Sequence, residues 1–474
     1  MKKIKSDRNG VFPTEQNVIN NKKIAFEGNI FIFGFGLVGQ SFFRLLKKEV
    51  SFDIKKLFVI DKLDVDMPEF LKQDGLKENF IIQYIESTNY KDIYAKYLKK
   101  GDVLLDFSDR TKNINSLEWC LEHGVLYLST SDSSWPDDLT WDSSYAHFVI
   151  MREMRKNYST GYPTAVVQFG CNPGIVSVFA KKALEELIET SKSPYVIFNR
   201  KKLKHLLEND NYAEASRLLK LETIIITDYD TQQIKKMDLD DNTLYNTWNP
   251  DGLYDEACSN IEICVGTHYE MAELETSVKD YVEEDGYCML NKRGVDVVCS
   301  TYSPLGIFDG HIITHEEVFS IGDYFSLKDD NEKSIYRPTV FFSYRPSDVA
   351  MWSLDKIKQK GYKNLDNSKI ITDEIISGGE AVGIVIQGKR FKSVYYGSTV
   401  EVEDLKKRLP EETPTIIQVT ASAIAAFKWM IKNPNEGMRF PEELPVEEIL
   451  LDAQKYLGKY ELKKVREKGF VFKQ

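Results

Sequence analysis

Cysteine is scarce in this chain of 474 residues, and the six that occur (Cys120, Cys171, Cys258, Cys264, Cys288 and Cys299) form no C-x-x-C pair. That excludes a disulfide-stapled scaffold and a zinc site of paired cysteines. The six read as reduced thiols of a cytosolic protein. The N-terminal stretch MKKIKSDRNGVFPTEQ lacks an apolar core, so no signal peptide is expected. No run of about 18 apolar residues offers a membrane span. Positive charge is not in excess either. The net charge is −11 and the pI about 5.3, which argues against a general nucleic-acid binder but suits cationic substrates. Internal repeats and long low-complexity linkers are also missing. What remains is ordinary: 42% hydrophobic and 28% charged residues, with length for two or three domains.

The first half alternates in type. NIFIFGFGLVGQSFFRLLKKEV reads as an apolar strand (Ile30 to Phe33), a glycine turn, and a helix with Phe42, Phe43, Leu45 and Leu46 on one face. KKLFVID is a second strand ending in Asp61, and NYKDIYAKYLKK a helix. DVLLDFSD is a third strand, NINSLEWCLEHG a helix capped by Gly124, and VLYLSTS a fourth strand. This βαβα pattern predicts a doubly wound parallel sheet. Ala165 to Phe169 is expected as a strand, with Asn172 as N-cap and Pro173 as first residue of the next helix. Beyond about residue 190 strands dominate: TIIITDYD, IEICVGTHYE, VDVVCSTY, GHIITHEEVFS and PTVFFSY. They predict a second domain with a mixed or antiparallel sheet. TASAIAAFKWMIKNPNEG is a strong helix stopped by Pro434 and Gly437.

Gly34, Gly36 and Gly39 follow the first strand in G-x-G-x-x-G spacing and open a helix. That context makes the motif a dinucleotide site, with the pyrophosphate on the helix N-terminus. Asp61, 22 residues after Gly39, is placed to bind the ribose hydroxyls, which favours NAD over NADP. Leu37 and Val38 within the turn, Ser108 and Thr130 in the third and fourth strands, and Asn172 complete the expected cofactor contacts. YNTWNPDGLYDEA raises a different question. Pro250, Asp251 and Gly252 read as a tight reversal, yet Trp248 sits beside it among carboxylates. Trp248 fits a core cap, and it fits equally a face that attracts a cation. His315 fits a core histidine or a proton shuttle. His268 and Glu270 alternate with Tyr269, so they are expected on one face of a strand. The histidines and nearby acids are too dispersed for a metal site, and none is expected.

FIFGFGLVGQ, GCNPGIVSVFAKKAL, DYDTQ, YNTWNPDGLYDEA, GTHYE, HIITHEEVFSIGDYF, RPTVFFSYRPSDVA, GSTV and IIQVTASAIAAFKWMIKNPNEG occur in this order. In these motifs the chain resembles the bacterial homospermidine synthases, a branch of the saccharopine-dehydrogenase-like superfamily. The likeness runs from about Asn29 to Gly458. It implies a homodimer that keeps NAD as a recycled group. Such an enzyme transfers an aminobutyl unit between two putrescines, or from spermidine to putrescine, through imines and with loss of ammonia. The resemblance also implies site roles. Trp248, Glu256, His315 and Asn172 match catalytic positions. Asp228, Asp230, Glu380, His268 and Glu270 are substrate candidates. Asp228 stands where the family carries Glu, one methylene longer, and Asp230 fits a turn cap as well as a substrate ligand. Glu380 matches a site acid to within one residue.

The expected architecture is α/β. Residues 1–27 form an arm and 28–170 a Rossmann-type NAD domain. Residues 171–415 form a substrate and dimerisation domain of α+β type, and 416–474 are helices packing back on the first domain. Two rival functions remain: a reductive coupling enzyme acting on a carbonyl and an amino acid, and a non-catalytic NAD-binding protein. The first would call for Arg or Lys in the pocket. The expected setting is cytoplasmic, with neither membrane nor nucleic acid as partner.

Overall fold

The computed structural model describes residues 23–62, 68–109, 111–135, 143–269, 278–282, 284–465 and 471–473. Among them two large sheets carry the architecture. The first is parallel throughout, in the order Met438–Arg439, Ala165–Val166, Leu126–Ser129, Val103–Asp106, Ile30–Phe33, Leu57–Asp61 and Phe80–Ile82. Its central strands are buried on both faces, which is why they read as unbroken apolar runs. The helix Leu37–Glu49 turns Phe42, Phe43, Leu45 and Leu46 inward. The helix Asn113–His123 ends on Gly124 in the left-handed region, as its sequence predicts.

The second sheet is mixed. Its centre sets Leu221–Asp230 parallel to Thr339–Arg345 and antiparallel to Gly379–Gly388. Helices are more frequent here than the strand-rich sequence suggests, beginning with Pro194–Glu208 and Tyr212–Leu219.

Several local expectations are corrected. The strand after residue 164 stops at Val166, since Gln168 has a positive φ of 53°. The next helix begins at Ile175, not Pro173, and Asn172 is not its cap. Residues 170–174 close a tight loop in which a Cβ on Gly174 would lie 2.2 Å from the Gly170 carbonyl oxygen. Asn172 is thereby left free to point elsewhere. Pro250 to Gly252 is not a reversal but the first turn of the helix Pro250–Cys258. Asn249 caps it by accepting from the Asp251 amide at 3.1 Å, and Pro250 takes the first position. IEICVGTHYE leaves the sheet at Cys264. At Gly266 an added Cβ would lie 2.6 Å from the Thr339 nitrogen, so the chain turns there. His268 therefore lies in a turn rather than on a strand, and Glu270 lies outside the described residues. GHIITHEEVFS is strand only to Ile313, and a helix runs from Glu317 to Tyr324.

The two ends also depart from the expected plan. Ile24–Ala25, inside the expected arm, pairs with Val50–Ser51. The helix Pro414–Lys432 is long and apolar enough to span a membrane by composition, but most of it is buried within the protein. It packs on the Leu37–Glu49 helix through Ser41 and Thr420, whose hydroxyls are 2.8 Å apart, and through Phe42 and Phe427. The chain then adds Met438–Arg439 to the first sheet. A short helix, Val446–Ala453, follows, and the chain then ends in strands of the second sheet, Lys459–Lys464 paired to Val394–Glu401 and Val471–Lys473 paired to residues 298–300.

Candidate active site

One cavity of about 2250 Å³ opens between the two sheets. Gly34, Gly36, Leu37, Val38, Gly39, Asp61, Ser108 and Thr130 line one end. Asn172, Asp228, Trp248, Glu256, His315 and Glu380 line the other.

The three glycines differ in what they serve. A Cβ on Gly34 would lie 2.7 Å from the Phe107 carbonyl oxygen, and one on Gly39 would lie 2.3 Å from that of Gly34. Both are required by the protein's own packing. A Cβ on Gly36 would meet nothing within 4 Å. Its bareness serves the cavity, where it lets a ligand approach the backbone. The helix that starts after Gly36 has neither a side-chain cap nor an acid in its first turn, so its N-terminus is disposed to hold an anion. Asp61 ends its strand beside this turn, and its Oδ2 accepts the Phe35 amide at 2.6 Å. Lys62, next to it, lies 3.6 Å from Asp109. Ser108 donates to the buried Asp106 at 2.7 Å, which fixes the loop between the third strand and its helix. These residues fit a dinucleotide.

The far end is built from carboxylates. Asp228 and Asp230 share one face of their strand, and Glu380 lies opposite Asp230 on the neighbouring one. Asp228 Oδ2 accepts from Asn172 Nδ2 at 3.0 Å, the contact that the loop through Gly174 makes available. Burial lifts the Asp228 carboxyl to about 7, and the nearby Asp230 adds to the effect. Glu380 is also pushed well above the usual carboxylate range, by burial first and then by Asp228 and Asp230. Burial lifts Glu256, on the helix 250–258, to about 8. Asp228 Oδ1, Glu256 Oε2, Glu317 Oε1 and Glu380 Oε2 are buried without a hydrogen-bond partner. Buried carboxylates without a cation are costly, and a bound cation would relieve them.

His315 is the exception in charge. It sits in the bend between Ile313 and Glu317, with Nδ1 bonded to Glu317, 3.3 Å from Glu316, and with Nε2 3.8 Å from Glu256. Burial opposes its protonation, yet Glu317, Glu316 and Glu256 together raise it to about 10. Trp248 completes the wall, its indole Nε1 donating to the Tyr344 hydroxyl at 3.0 Å.

Of the substrate candidates, Asp228 and Glu380 face the cavity together. Asp230 sits behind them and is used up locally. Its Oδ1 accepts from the Gln232 amide at 2.7 Å and its Oδ2 from Thr247 at 2.9 Å, so it caps the turn after its strand. His268 is exposed and does not line the cavity. Sequence reading passed over Glu316, Glu317 and Tyr344. The signal for Tyr344 was present: Phe342 and Tyr344 alternate in FFSYR and so share a sheet face.

Residues 30–166 match the family model of the saccharopine dehydrogenase NADP binding domain, and residues 170–462 that of the saccharopine dehydrogenase C-terminal domain. The chain is 26% identical over 450 residues to a homospermidine synthase of Mesorhizobium japonicum, covering 91% of this chain and 89% of that protein. It is 27% identical over 450 residues to one of Blastochloris viridis, covering 91% and 90%. Among solved structures, a homospermidine synthase from Legionella pneumophila in complex with NAD superposes with a TM-score of 0.82 at 26% identity, over 94% of this chain and 93% of that one. The chain belongs to the saccharopine dehydrogenase family.

Proposed function

We propose that this member of the saccharopine dehydrogenase family is a homospermidine synthase. It joins two putrescines into homospermidine and ammonia, or takes the aminobutyl group from spermidine, with NAD regenerated in each cycle. One observation carries the reading: a glycine turn suited to a dinucleotide shares a cavity with buried, unpartnered carboxylate oxygens and an indole face. A diamine dication answers both demands, its ammonium ends meeting the acids and its methylenes the aromatic wall. Among the described lining residues no Arg occurs, and the two lysines are Lys62, beside Asp109, and the exposed Lys279. A substrate carboxylate would find no buried Arg or Lys, and the buried cation His315 is already engaged by Glu317, Glu316 and Glu256, which disfavours the reductive coupling of an amino acid. A protein that only sensed NAD would need none of these acids.

In this reading Trp248, Asp228, Glu256 and Glu380 hold the ammonium groups, and Asn172 orients Asp228. Bound NAD would accept a hydride from the amine carbon and return it to the imine formed with the second diamine. Asp61 at the ribose favours NAD over NADP. An amine must lose a proton before its carbon can yield a hydride, and a free alkylamine titrates near about 10. Glu317, Glu316 and Glu256 keep His315 protonated near neutral pH, so it can give a proton rather than take one, and Glu256, lifted to about 8 and 3.8 Å from its Nε2, is the nearer base. The cavity lies between the two sheets, where the acids that grip the imine's free ammonium end would hold it until the second amine arrives. A homodimer and a cytoplasmic setting belong to the same proposal, and the six unpaired thiols agree with a reducing compartment.

Putrescine deuterated at its amine carbons tests the redox cycle. Deuterium is expected at the carbon of the new C–N bond in ordinary water, with catalytic NAD and no NADH rising in step with product. Stoichiometric NADH, or a strict need for an oxo acid, would replace this function with the reductive-coupling alternative.

A further inference from the structure

The geometry points to Tyr344 and Gly252 as positioning residues that set the angle of the Trp248 face toward the diamine, an inference that rests on the amine reading above. Two contacts hold the indole. On one side Nε1 donates to the Tyr344 hydroxyl at 3.0 Å. On the other, the six-membered edge lies over the bare backbone of the helix 250–258, where a Cβ on Gly252 would be 2.8 Å from Trp248 Cζ3. A hydrogen bond at one edge and a close approach at the other leave a planar ring little freedom to tilt. An ammonium is attracted by the ring face and not by its edge, so tilt decides affinity.

Tyr344 is itself fixed. It is 2% exposed, its ring stacks on Phe342 with centroids 5.9 Å apart, and Phe342 packs edge-on against His315 at 4.7 Å. A row of rings thus links the amine-binding face to the proton-exchanging imidazole. Tyr344 also lies directly opposite Asp228 in the parallel pair of strands. Burial and the charges of Asp228, Asp230 and Glu380 keep its phenol protonated. The hydroxyl therefore accepts the indole proton as a neutral group and adds no negative charge to the acid cluster.

The indole held in this way discriminates among amines by where the ammonium sits along the cavity. Loosening the ring is expected to weaken putrescine binding while leaving the dinucleotide end untouched. Tyr344→Phe keeps the ring and its stacking and removes only the acceptor. Gly252→Ala puts a methyl 2.8 Å from the indole, so the ring must turn aside, and the helix preference for alanine offsets part of that cost.

The test measures putrescine affinity and KM for the NAD-loaded full chain in the wild type, Tyr344→Phe, Gly252→Ala, Trp248→Phe and Trp248→Phe/Tyr344→Phe. It is paired with the indole N–H resonance of ¹⁵N-tryptophan-labelled protein, assigned by its absence in Trp248→Phe. Tyr344→Phe is expected to shift that resonance and to weaken putrescine about three- to tenfold, mainly in KM. It is expected to have no further effect once Trp248 is Phe, which has no N–H to give. Gly252→Ala is expected to weaken putrescine and to shift the same indole resonance. An unmoved resonance, or the same loss from Tyr344→Phe in both backgrounds, overturns the positioning role. A wild-type chain that binds no putrescine instead overturns the amine function itself, and the resonance still reports whether Tyr344 holds the ring.

Discussion

The two ends of the cavity are made by opposite means. The nucleotide end is mostly backbone: a strand, a turn whose bare Gly36 faces open space, and an uncapped helix N-terminus. Its partner charges are dipolar, and Asp61, the acid beside the glycine turn, has an amide to bond. The amine end is made of side chains from Asn172, the strands 221–230 and 379–388, the helix 250–258 and the bend at His315. Its acids outnumber their donors, as the orphaned oxygens of Asp228, Glu256, Glu317 and Glu380 show. One end is stable before its ligand arrives. The other carries an electrostatic penalty that is relieved by protons taken up or by a bound cation. Under the proposed function, a site that kept its cofactor through turnover and exchanged its amines each cycle would need both.

If that division holds, the largest effect comes from filling the empty space. Gly36→Val should abolish NAD binding, a loss of more than about a hundredfold, because the backbone can no longer approach the pyrophosphate. The fold should survive, since Gly36 has a φ of −67° and its Cβ meets no atom. Gly39→Ala sharpens the contrast. Its Cβ would lie 2.3 Å from a carbonyl oxygen, so it should lower the melting temperature before it touches affinity. Equilibrium dialysis with NAD and thermal melts of both variants check this, and unchanged NAD binding in Gly36→Val would move the cofactor elsewhere. At the other end, Glu256→Gln keeps shape and removes charge. It should cost about a hundredfold or more in kcat/KM for putrescine while NAD stays bound. Normal putrescine kinetics in this variant would show that the amine seat lies elsewhere.

The same division governs what could be read from sequence. The nucleotide end is local, and its strand, glycines and acid fall within 32 residues, so periodicity and spacing locate it. Asn172, Asp228, Glu256, His315 and Glu380 meet only through the pairing of distant strands, and composition alone could not choose the three acids among them from the chain's 73. The resemblance to a family supplied them. It could not say that Asp230 is consumed by Gln232 and Thr247, or that His268 turns away at Gly266. Two of the misreadings share one cause. At Pro173, next to Gly174, and at Pro250, two residues before Gly252, the sequence was consistent with either a loop or a helix start, and the choice was made by local contacts: the close Gly170–Gly174 loop in one case, the Asn249 cap in the other.

The smallest expected effect is the most direct measure of the penalty at the amine end. Asp228 at about 7, Asp230 at about 6 and Glu256 at about 8 all stand above ordinary carboxylates, as does Glu380. The folded protein therefore holds protons that the unfolded chain has already lost, and linkage fixes the sign. The stability from these groups is complete below about pH 4 and drains as pH rises through 6 to 8. Each tenfold gain in a group's proton affinity on folding is worth about 1.4 kcal/mol. Asp285 works the other way. Arg152, Tyr145 and Lys328 hold it low against burial, so its contribution is present above about pH 4 and lost only in stronger acid. The chain without amine should thus melt several degrees lower at pH 8 than at pH 5, and Glu380→Gln should recover part of the difference. Putrescine binds the ionised acids, so its binding at pH 6.5 should release protons, seen as a heat that changes with the ionisation enthalpy of the buffer. That release should shrink as pH rises past about 8, where Asp228 and Glu256 are already bare. A melting temperature that rises from pH 5 to 8, with no proton release on binding, would mean that the acids are satisfied within the protein and that the two ends of the cavity do not differ as argued.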